Sequence, residues 1–377
     1  MSGDRFTEEL REFLDAHPPP AARGFDAERR WQEVLHAEGW VAPHWPVEHG
    51  GRGASFREYA GYVLELARVR APQPVNRVGI NLAGPTLLAH GTSEQRDRYL
   101  APILAATEIW CQLFSEPGAG SDLASLTTRA RRAGSGEGWV IDGQKVWTSY
   151  ASEARWGILL ARTGPPGSGH RGLSYFVCDM KAPGIEVRPL RQMTGESEFS
   201  EVFLDGVELG ADALVGAEGA GWAIAATTLA HERGTAFPLK EQVVQKVFLD
   251  DLLAWARERG GEITGMDRDR LARCVVDAEV FRFLNLAMLE RLARGEEPGP
   301  ESSLVKLHWS ALSQRLHEAE ITLWGAAGVA VAPGRDGTPP WREHLWSRAA
   351  SIAGGTSEVQ RNIVGERILG LPREPRP

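Results

Sequence analysis

The chain has 377 residues, and its 42 lysines and arginines stand against 50 aspartates and glutamates, giving a formal net charge of -8. A chain of this length, with 42% hydrophobic residues, buries about 75% of the surface that its unfolded form exposes, which excludes a disordered protein and a disulfide-held miniature. The acidic balance without basic runs argues against a nucleic-acid groove. The length suggests two or three folding units.

The three cysteines, Cys111, Cys178 and Cys274, lie far apart and form no CxxC pair. We expect each to pack as a small apolar residue rather than to bind a metal or form a disulfide. The N-terminus, MSGDRFTEELREF, lacks the apolar run of a signal peptide, and no stretch approaches the roughly 20 apolar residues of a membrane span. These features predict a cytoplasmic protein without a metal site or a membrane span.

The first hundred residues contain sequence signals that begin and end helices. A helix is expected after Asp26, with Trp31 and Leu35 on one face and Gly39 as its stop signal. Capping boxes at 55–58 and 92–95 each predict the start of a further helix. This part of the chain therefore predicts a helical domain.

The pattern changes near Trp110, where short β-branched and aromatic runs alternate with turn signals. Strands are expected at 139–141, 146–148, 173–177, 185–190 and 202–204, and the dipeptides Asp142-Gly143 and Asp205-Gly206 are expected to form turns. This spacing predicts a compact antiparallel sheet or barrel.

Helical periodicity returns at Gly221 and persists to the end of the chain. The segments 267–294 and 301–325 are long enough for the helices of a bundle, and 332–340 predicts a surface loop. The order is therefore helices, then a β unit, then a helical bundle. We place the domain boundaries at residues 1–110, 111–212 and 213–377.

A glycine-rich loop, FSEPGAGSD at 114–122, separates the first helices from the β unit. Its glycines permit close approach of a ligand, and its amides and hydroxyls can receive carbonyl or phosphate oxygens. Taken alone, a tight polar loop explains the same residues. The loop is followed by KVWTS at 145–149, by RPLRQMTG at 188–195 and by GGTSEVQRN at 354–362.

These ordered motifs resemble the acyl-CoA dehydrogenase flavoproteins over nearly the whole chain, from HGTSEQ at 90–95 to the closing GGTSEVQRNIVGERILGLP. The resemblance implies an α+β fold with an N-terminal helical domain, a middle β-barrel and a C-terminal four-helix bundle. It also implies FAD as cofactor, assembly with itself or a homologous subunit as a dimer or tetramer, and reoxidation by an electron-transfer flavoprotein or a similar acceptor. Members of this family oxidise an acyl-CoA thioester to its trans-2-enoyl form.

The resemblance also implies roles for individual residues. Four loop residues, Phe114, Ser115, Gly120 and Ser121, correspond to positions around the flavin, and Ser121 also lies near the pantetheine or phosphate part of CoA. The family pattern places Trp147 beside the isoalloxazine and gives Ser149 a hydrogen bond to its reactive edge, although Trp147 could instead be a core aromatic residue. Thr356 and Glu358 correspond to FAD-holding positions and also suit the cap of a final helix.

The position of the catalytic base departs from the commonest family pattern. Many members carry a glutamate where this chain has Gly354, which cannot accept a proton. A second family position, on the first bundle helix, corresponds to Glu232, and a carboxylate in a water-excluded site becomes a stronger base. We predict Glu232 as the base, with Arg233 supporting the substrate and the Gly354 backbone amide polarising the thioester carbonyl. An ordinary ion pair or a solvated side chain remains the alternative for Glu232.

Two further departures concern the adenine end of the cofactor site. The family's Arg-x-x-Phe-Gly segment corresponds to 255–260 here, without Phe-Gly, and its Gln-x-x-Gly-Gly element corresponds to 322–326. Four interpretations stay open: a homomeric dehydrogenase using Glu232, one subunit of a heteromeric dehydrogenase, a catalytically silent flavin-binding protein, or a desaturase acting on an acyl group held by a carrier protein.

Overall fold

The computed structural model describes residues 2–22, 24–134, 136–165, 167–232, 236–294, 296, 299–330 and 339–373, although the side chains at 2–4, 232, 236–238 and 293 lie outside that description. The chain forms two compact units. The first, here called the bundle unit, comprises Met1–Ala16, Phe56–Ala71 and Arg233–Pro377. The second, the sheet unit, comprises His17–Ser55 and Pro72–Glu232.

Within the described residues, five helices precede the strands: α1 (Ser2–Ala16), α2 (Phe25–Ala37), α3 (Phe56–Arg68), α4 (Gly84–His90) and α5 (Ser93–Leu104). Helix α5 begins with the predicted capping box, because Thr92 Oγ1 accepts from the Gln95 amide at 3.2 Å and Gln95 Oε1 accepts from the Thr92 amide at 3.1 Å. The expected helix after Asp26 is α2, whose Trp31 and Leu35 are buried. These helix predictions are confirmed.

In the part of the sheet unit that the structure describes, eight strands form one sheet: β1 (Trp110–Leu113), β2 (Arg129–Arg132), β3 (Trp139–Ser149), β4 (Trp156–Arg162), β5 (Leu173–Asp179), β6 (Ile185–Leu190), β7 (Phe199–Leu209) and β8 (Leu214–Val215). The order is β6-β7-β3-β2-β4-β5-β8, with β1 also paired to β4. Most pairs are antiparallel, as predicted, but β1 and β2 each pair with β4 in parallel. Each predicted strand lies within an observed one: 139–141 and 146–148 both lie in β3, 173–177 in β5, 185–190 in β6 and 202–204 in β7.

Both predicted Asp-Gly turns are wrong, because each dipeptide lies inside a long strand. The pairing of β3 with β7 shifts register between Ile141 and Gly143, so the two dipeptides mark one β-bulge region. Across that region the Gly206 amide donates to Asp142 Oδ1 at 2.9 Å. A side chain at Gly143 would place Cβ 2.4 Å from Thr128 Oγ1, so the close approach of Thr128, just before β2, requires glycine there.

The sheet closes over an apolar core. Its largest buried members are Trp139 from β3 and Phe176 from β5, whose rings meet edge-on with centroids 5.1 Å apart. Cys111 and Cys178 belong to this core, and Cys274 belongs to the core of the bundle unit. All three cysteines are free and buried, as predicted.

After the sheet, the described residues form seven more helices: α6 (Gly221–Glu232), α7 (Ala236–Glu258), α8 (Gly265–Ala293), α9 (Ser302–Trp324), α10 (Ala326–Val329), α11 (Pro340–Trp346) and α12 (Ser357–Ile363). In the bundle unit, α7, α8 and α9 share an apolar core that includes Leu252, Phe281 and Leu312. Residues 332–338 of the predicted loop at 332–340 lie outside the described part of the structure. Its last residue, Pro340, is the first residue of α11. Among the described residues, no helix is long and apolar enough to cross a membrane.

Candidate active site

The FSEPGAGSD loop leaves strand β1 and folds back on itself at once. Glu116 and Ala119 exchange two backbone hydrogen bonds of 3.0 Å each, which closes a tight turn between them. The Phe114 side chain is buried, and its ring lies edge-on to Tyr175 with centroids 5.8 Å apart. Ser115 is half-buried, and its carbonyl accepts from the Val146 amide at 2.9 Å. The loop is therefore tied to strand β3 immediately before Trp147.

A buried ion pair fixes this junction. Lys145 is completely buried, and its Nζ donates to Glu116 Oε1 at 2.9 Å, to the Phe114 carbonyl at 3.0 Å and to the Leu160 carbonyl at 2.8 Å. Both carboxylate oxygens of Glu116 are occupied as well, since the amides of Thr127 and Thr128 donate to them at 2.6 and 2.9 Å. Every donor and acceptor of the pair is satisfied, which is the condition under which a buried pair is tolerated.

Electrostatics keep both partners of the pair charged at neutral pH. Burial alone would raise the pKa of Glu116, but the Lys145 ammonium and the hydrogen bonds from Thr127 and Thr128 outweigh it and lower that pKa to about 2. Burial lowers the pKa of Lys145 to about 8, against the opposing attraction of Glu116. No role was predicted for either residue from the sequence, where Glu116 lies within FSEPGAGSD and Lys145 within KVWTS.

Trp147 is displayed at the surface rather than packed in the core. Its side chain is 63% exposed, and its ring meets Phe199 edge-on with centroids 6.1 Å apart. Its φ of 60° lies in the left-handed region, where a bulky residue is a genuine outlier. The strand pairing shifts register between Lys145 and Thr148, so a second bulge produces this conformation. Backbone strain that displays an aromatic face is typical of a ligand site, and the core alternative for Trp147 is wrong.

The turn and the loop residues that follow it leave open space for a ligand. A Cβ atom built on Gly118 or Gly120 meets nothing within 4 Å, and Ser121 is exposed. Ser149, at the end of β3, is half-buried opposite Phe199. An exposed indole face, open glycines and the hydroxyls of Ser121 and Ser149 fit a large planar cofactor with a phosphate-bearing tail.

The C-terminal motif lies in the bundle unit and forms a turn followed by α12. Gly354 and Gly355 both have positive φ, 64° and 89°, and Gln360 Nε2 donates to the Gly354 carbonyl at 3.1 Å. Thr356 caps the helix, because its Oγ1 accepts from the Val359 amide at 3.2 Å. Glu358 is exposed in the first turn. The capping role that the sequence allowed for Thr356 is thus confirmed.

The predicted base stands at the end of α6. Glu232 is the last residue of that helix, its side chain lies outside the described part of the structure, and so does the whole of Arg233. Burial and, to a smaller extent, the charge of His231 together lower the pKa of His44 to about 4. His44 therefore stays neutral at physiological pH and adds no charge near this end of α6.

Comparison with known proteins identifies the family. Models of the acyl-CoA dehydrogenase N-terminal, middle and C-terminal domains match residues 3–107, 111–207 and 219–369. The acyl-CoA dehydrogenase IpdE1 of Mycobacterium tuberculosis is 43% identical over 351 residues, which cover 93% of this chain and 89% of IpdE1. The chain belongs to the acyl-CoA dehydrogenase family. The predicted family and α+β fold are confirmed, and the protein is an oxidoreductase of CH–CH groups in a flavin-dependent family.

Other relatives are similar over the same length. FadE34 of Mycobacterium tuberculosis is 42% identical over 92% of this chain and 47% of its own. A solved structure called Tcur3481-Tcur3483 steroid ACAD has a TM-score of 0.86 and 29% identity, covering 99% of this chain and 98% of that one. The ChsE4-ChsE5 complex from Mycobacterium tuberculosis has a TM-score of 0.82 and 31% identity, covering 99% and 98%.

The two departures from the acyl-CoA dehydrogenase pattern touch each other. Trp255, in the segment that lacks Phe-Gly, stacks on Trp324, in the segment that lacks Gln-x-x-Gly-Gly, with centroids 5.6 Å apart and planes 17° apart. The Arg259 guanidinium lies over the Trp255 ring, 4.1 Å from its centroid. The two altered segments thus form one aromatic cluster within the bundle unit.

Proposed function

We propose that the protein is an FAD-dependent acyl-CoA dehydrogenase that desaturates the α,β bond of an acyl thioester. When bound, FAD supplies the acceptor for the hydride that leaves the β-carbon. The chain supplies the rest: Phe114, Ser115, Gly120 and Ser121 line the cofactor, Trp147 covers its ring, and Ser149 hydrogen-bonds its edge. The observation that carries the proposal is Trp147, held exposed at a strained bulge beside this loop.

Proton abstraction is assigned to Glu232. Gly354 has no side chain that accepts a proton, and α6 ends at Glu232, the position that corresponds to the second base of the family. A carboxylate enclosed with an acyl chain is desolvated, which raises its pKa and its strength as a base. We assign the Gly354 amide to the thioester carbonyl, Arg233 and Ser121 to the substrate, and Thr356 and Glu358 to FAD.

The reaction is tested by adding a panel of acyl-CoA thioesters to the purified protein without oxygen. We expect loss of the oxidised-flavin absorbance and a product lighter by two hydrogens. Acyl groups loaded on a carrier protein form the second arm of the panel. A yellow protein that no thioester bleaches would contradict the proposal and indicate a silent flavin-binding member.

We also infer that this chain works with a homologous subunit. The names of two similar structures, Tcur3481-Tcur3483 steroid ACAD and the ChsE4-ChsE5 complex, each join two proteins. The Trp255–Trp324 cluster replaces the family residues that serve the adenine end of FAD, which favours a partner that completes that end. The first of those names also favours a steroid-type acyl thioester as the substrate class.

Assembly is tested by the flavin content of the chain expressed alone and together with a second acyl-CoA dehydrogenase chain from the same source. A colourless chain that becomes yellow with its partner supports the heteromer, whereas one FAD per chain in an isolated homo-oligomer contradicts it. We retain as proposals the domain division at 1–110, 111–212 and 213–377, an electron-transfer flavoprotein as electron acceptor, and a cytoplasmic location.

A further inference from the structure

Three hydroxyl groups meet inside the sheet unit, one helical turn before the end of α6. Thr228 Oγ1 lies 2.8 Å from Thr86 Oγ1 and 3.1 Å from the Tyr175 hydroxyl, and all three side chains are completely buried. They come from three separate elements, α6, α4 and β5. A buried hydroxyl is costly unless it is paired, so this cluster is either fully satisfied or strongly destabilising.

One arrangement of the three hydroxyl protons gives every donor of the cluster an acceptor. The Thr228 hydroxyl has one proton, which it donates to the Ile224 carbonyl at 3.2 Å within its own helix. Its oxygen is then free to accept from both Thr86 and Tyr175. Burial raises the pKa of Tyr175, so the phenol keeps its proton and remains a donor. Each of the three hydroxyl protons therefore has an acceptor, and the Thr228 hydroxyl takes part in all three hydrogen bonds.

Further contacts hold α6 at its start and near its end. At its start, a Cβ on Gly221 would lie 2.5 Å from Ser174 Cα, so the helix abuts β5 directly. The Gly219 amide donates to Ser174 Oγ at 2.9 Å. Near its end, Thr227 Oγ1 lies 2.9 Å from His90 Nε2. The helix is thus fixed at both ends by polar contacts rather than by apolar packing alone.

Tyr175 links this helix to the cofactor loop. Its hydroxyl reaches Thr228, and its ring packs edge-on against Phe114, whose carbonyl is bound by Lys145. Thr228 stands four residues before Glu232, and residues at that spacing share one face of a helix. A single side chain therefore spans the distance between the loop assigned to FAD and the turn that carries the assigned base.

We propose that Thr228 and Tyr175 are positioning residues that hold the last turn of α6, and with it Glu232, in register with the FSEPGAGSD loop. This inference rests on the proposed function, because it assigns the purpose of the contact to proton abstraction. Catalysis requires the base within hydrogen-bonding reach of the proton that it removes, and a misplacement of about 1 Å can cost a hundredfold in rate.

The test compares Thr228→Val, which removes the hydroxyl and keeps the shape, with Thr228→Ser, which keeps the hydroxyl. We expect the rate of thioester-driven flavin bleaching to fall roughly 10- to 100-fold in Thr228→Val. FAD content and the binding constant of an unreactive thioester should stay within about twofold, and Thr228→Ser should remain within about threefold of the parent. A loss of FAD or of thioester binding that accounts for the lower rate would overturn the proposal.

A double variant shows whether Thr228 acts through the base. In a Glu232→Gln background the base is already lost, so adding Thr228→Val should change the residual rate less than about twofold. An equal further loss in that background would contradict the proposal.

Hydrogen exchange gives a readout that does not depend on activity. In Thr228→Val the amides of 229–232 should exchange at least roughly tenfold faster, with recovery in Thr228→Ser and no change in 249–256 of α7. If no thioester bleaches the parent protein, the proposed function has failed, and exchange alone decides whether the cluster holds this turn. Unchanged exchange at 229–232 would overturn the positioning role in either case.

Discussion

Replacing Lys145 by methionine would leave the Glu116 carboxylate buried without its cation. Removing one partner of a buried ion pair costs about 3–5 kcal/mol, because the remaining charge is uncompensated. The pKa of Glu116 gives a similar figure, since a carboxyl held at about 2 instead of 4.5 contributes about 3 kcal/mol at neutral pH. We therefore expect Lys145→Met to lower the local free energy of opening by about 3–5 kcal/mol.

The Val146 amide reports this loss, because it donates to the Ser115 carbonyl at the junction that the pair holds. A cost of about 3–5 kcal/mol corresponds to a roughly 150- to 5,000-fold increase in its hydrogen-exchange rate. Lys246→Met is the matched control, since Lys246 pairs with Asp250 at an exposed site where an ion pair contributes about 0–1 kcal/mol.

Two further measurements separate the ion pair from simple packing. Adding Glu116→Gln to Lys145→Met removes the stranded charge and should recover about 1–3 kcal/mol. The difference between parent and Lys145→Met should also shrink as the pH falls from about 4.5 to about 2, because in that range the Glu116 carboxyl of the opened state takes up a proton while that of the folded parent stays charged. An increase below about fivefold at Val146, or a double variant worse than the single one, would refute this account of the junction.

Three other changes have defined outcomes. Because the pKa of His44 is about 4, the folded protein binds fewer protons than the unfolded one between pH 6.5 and 4. Stability should therefore fall by about 3 kcal/mol as the pH drops through that range. Urea midpoints should show this fall, and His44→Gln should flatten it; an unchanged profile contradicts the assignment. Gly221→Ala should cost about 1–3 kcal/mol in urea unfolding, because its Cβ would collide with the Ser174 backbone, and a neutral result would rule out that close approach. Gly120→Ala should change stability by less than about 0.5 kcal/mol yet lower the FAD content of the protein. Gly265→Ala is the control, because its Cβ also has open space around it, and this variant should retain FAD. Equal FAD content in the two variants would show that Gly120 does not belong to the site.

Local signals in the sequence predicted the helices well. The capping box at Thr92 forms as expected, and α2 begins next to Asp26, because a cap and an amphipathic face act within one or two turns of the chain. The long helices α8 and α9 correspond to the two periodic segments predicted for the bundle. These elements depend on neighbours in sequence, which is why one chain sufficed to predict them.

The sheet was harder to predict, because Asp-Gly dipeptides suit a hairpin turn and a bulge equally. Whether the chain reverses at Asp142-Gly143 depends on β7, whose Gly206 amide binds Asp142 from across the sheet. The parallel pairing of β1 with β4 likewise joins segments more than forty positions apart in the numbering. No local pattern distinguishes these outcomes.

At the candidate site, the sequence predicted the loop and Trp147 through family resemblance, but the supporting contacts required the structure. Lys145 and Glu116 form an ion pair although they are 29 positions apart in the sequence. The hydroxyls of Tyr175 and Thr228 are in contact although these residues are 53 positions apart. Each of these four residues has an ordinary local explanation in its own strand, loop or helix. Only the structure brings the members of each pair into contact in a buried environment.

The central claim is that Glu232 removes the α-proton in an FAD-dependent desaturation, and the reductive half-reaction of a Glu232→Gln variant tests it most directly. The variant should retain its FAD and bind an acyl thioester, yet its flavin should bleach roughly 10²- to 10⁴-fold more slowly than that of the parent protein. The control, Glu208→Gln, changes an exposed glutamate of β7 and should bleach at the parental rate. Bleaching of Glu232→Gln at that same parental rate would contradict the claim.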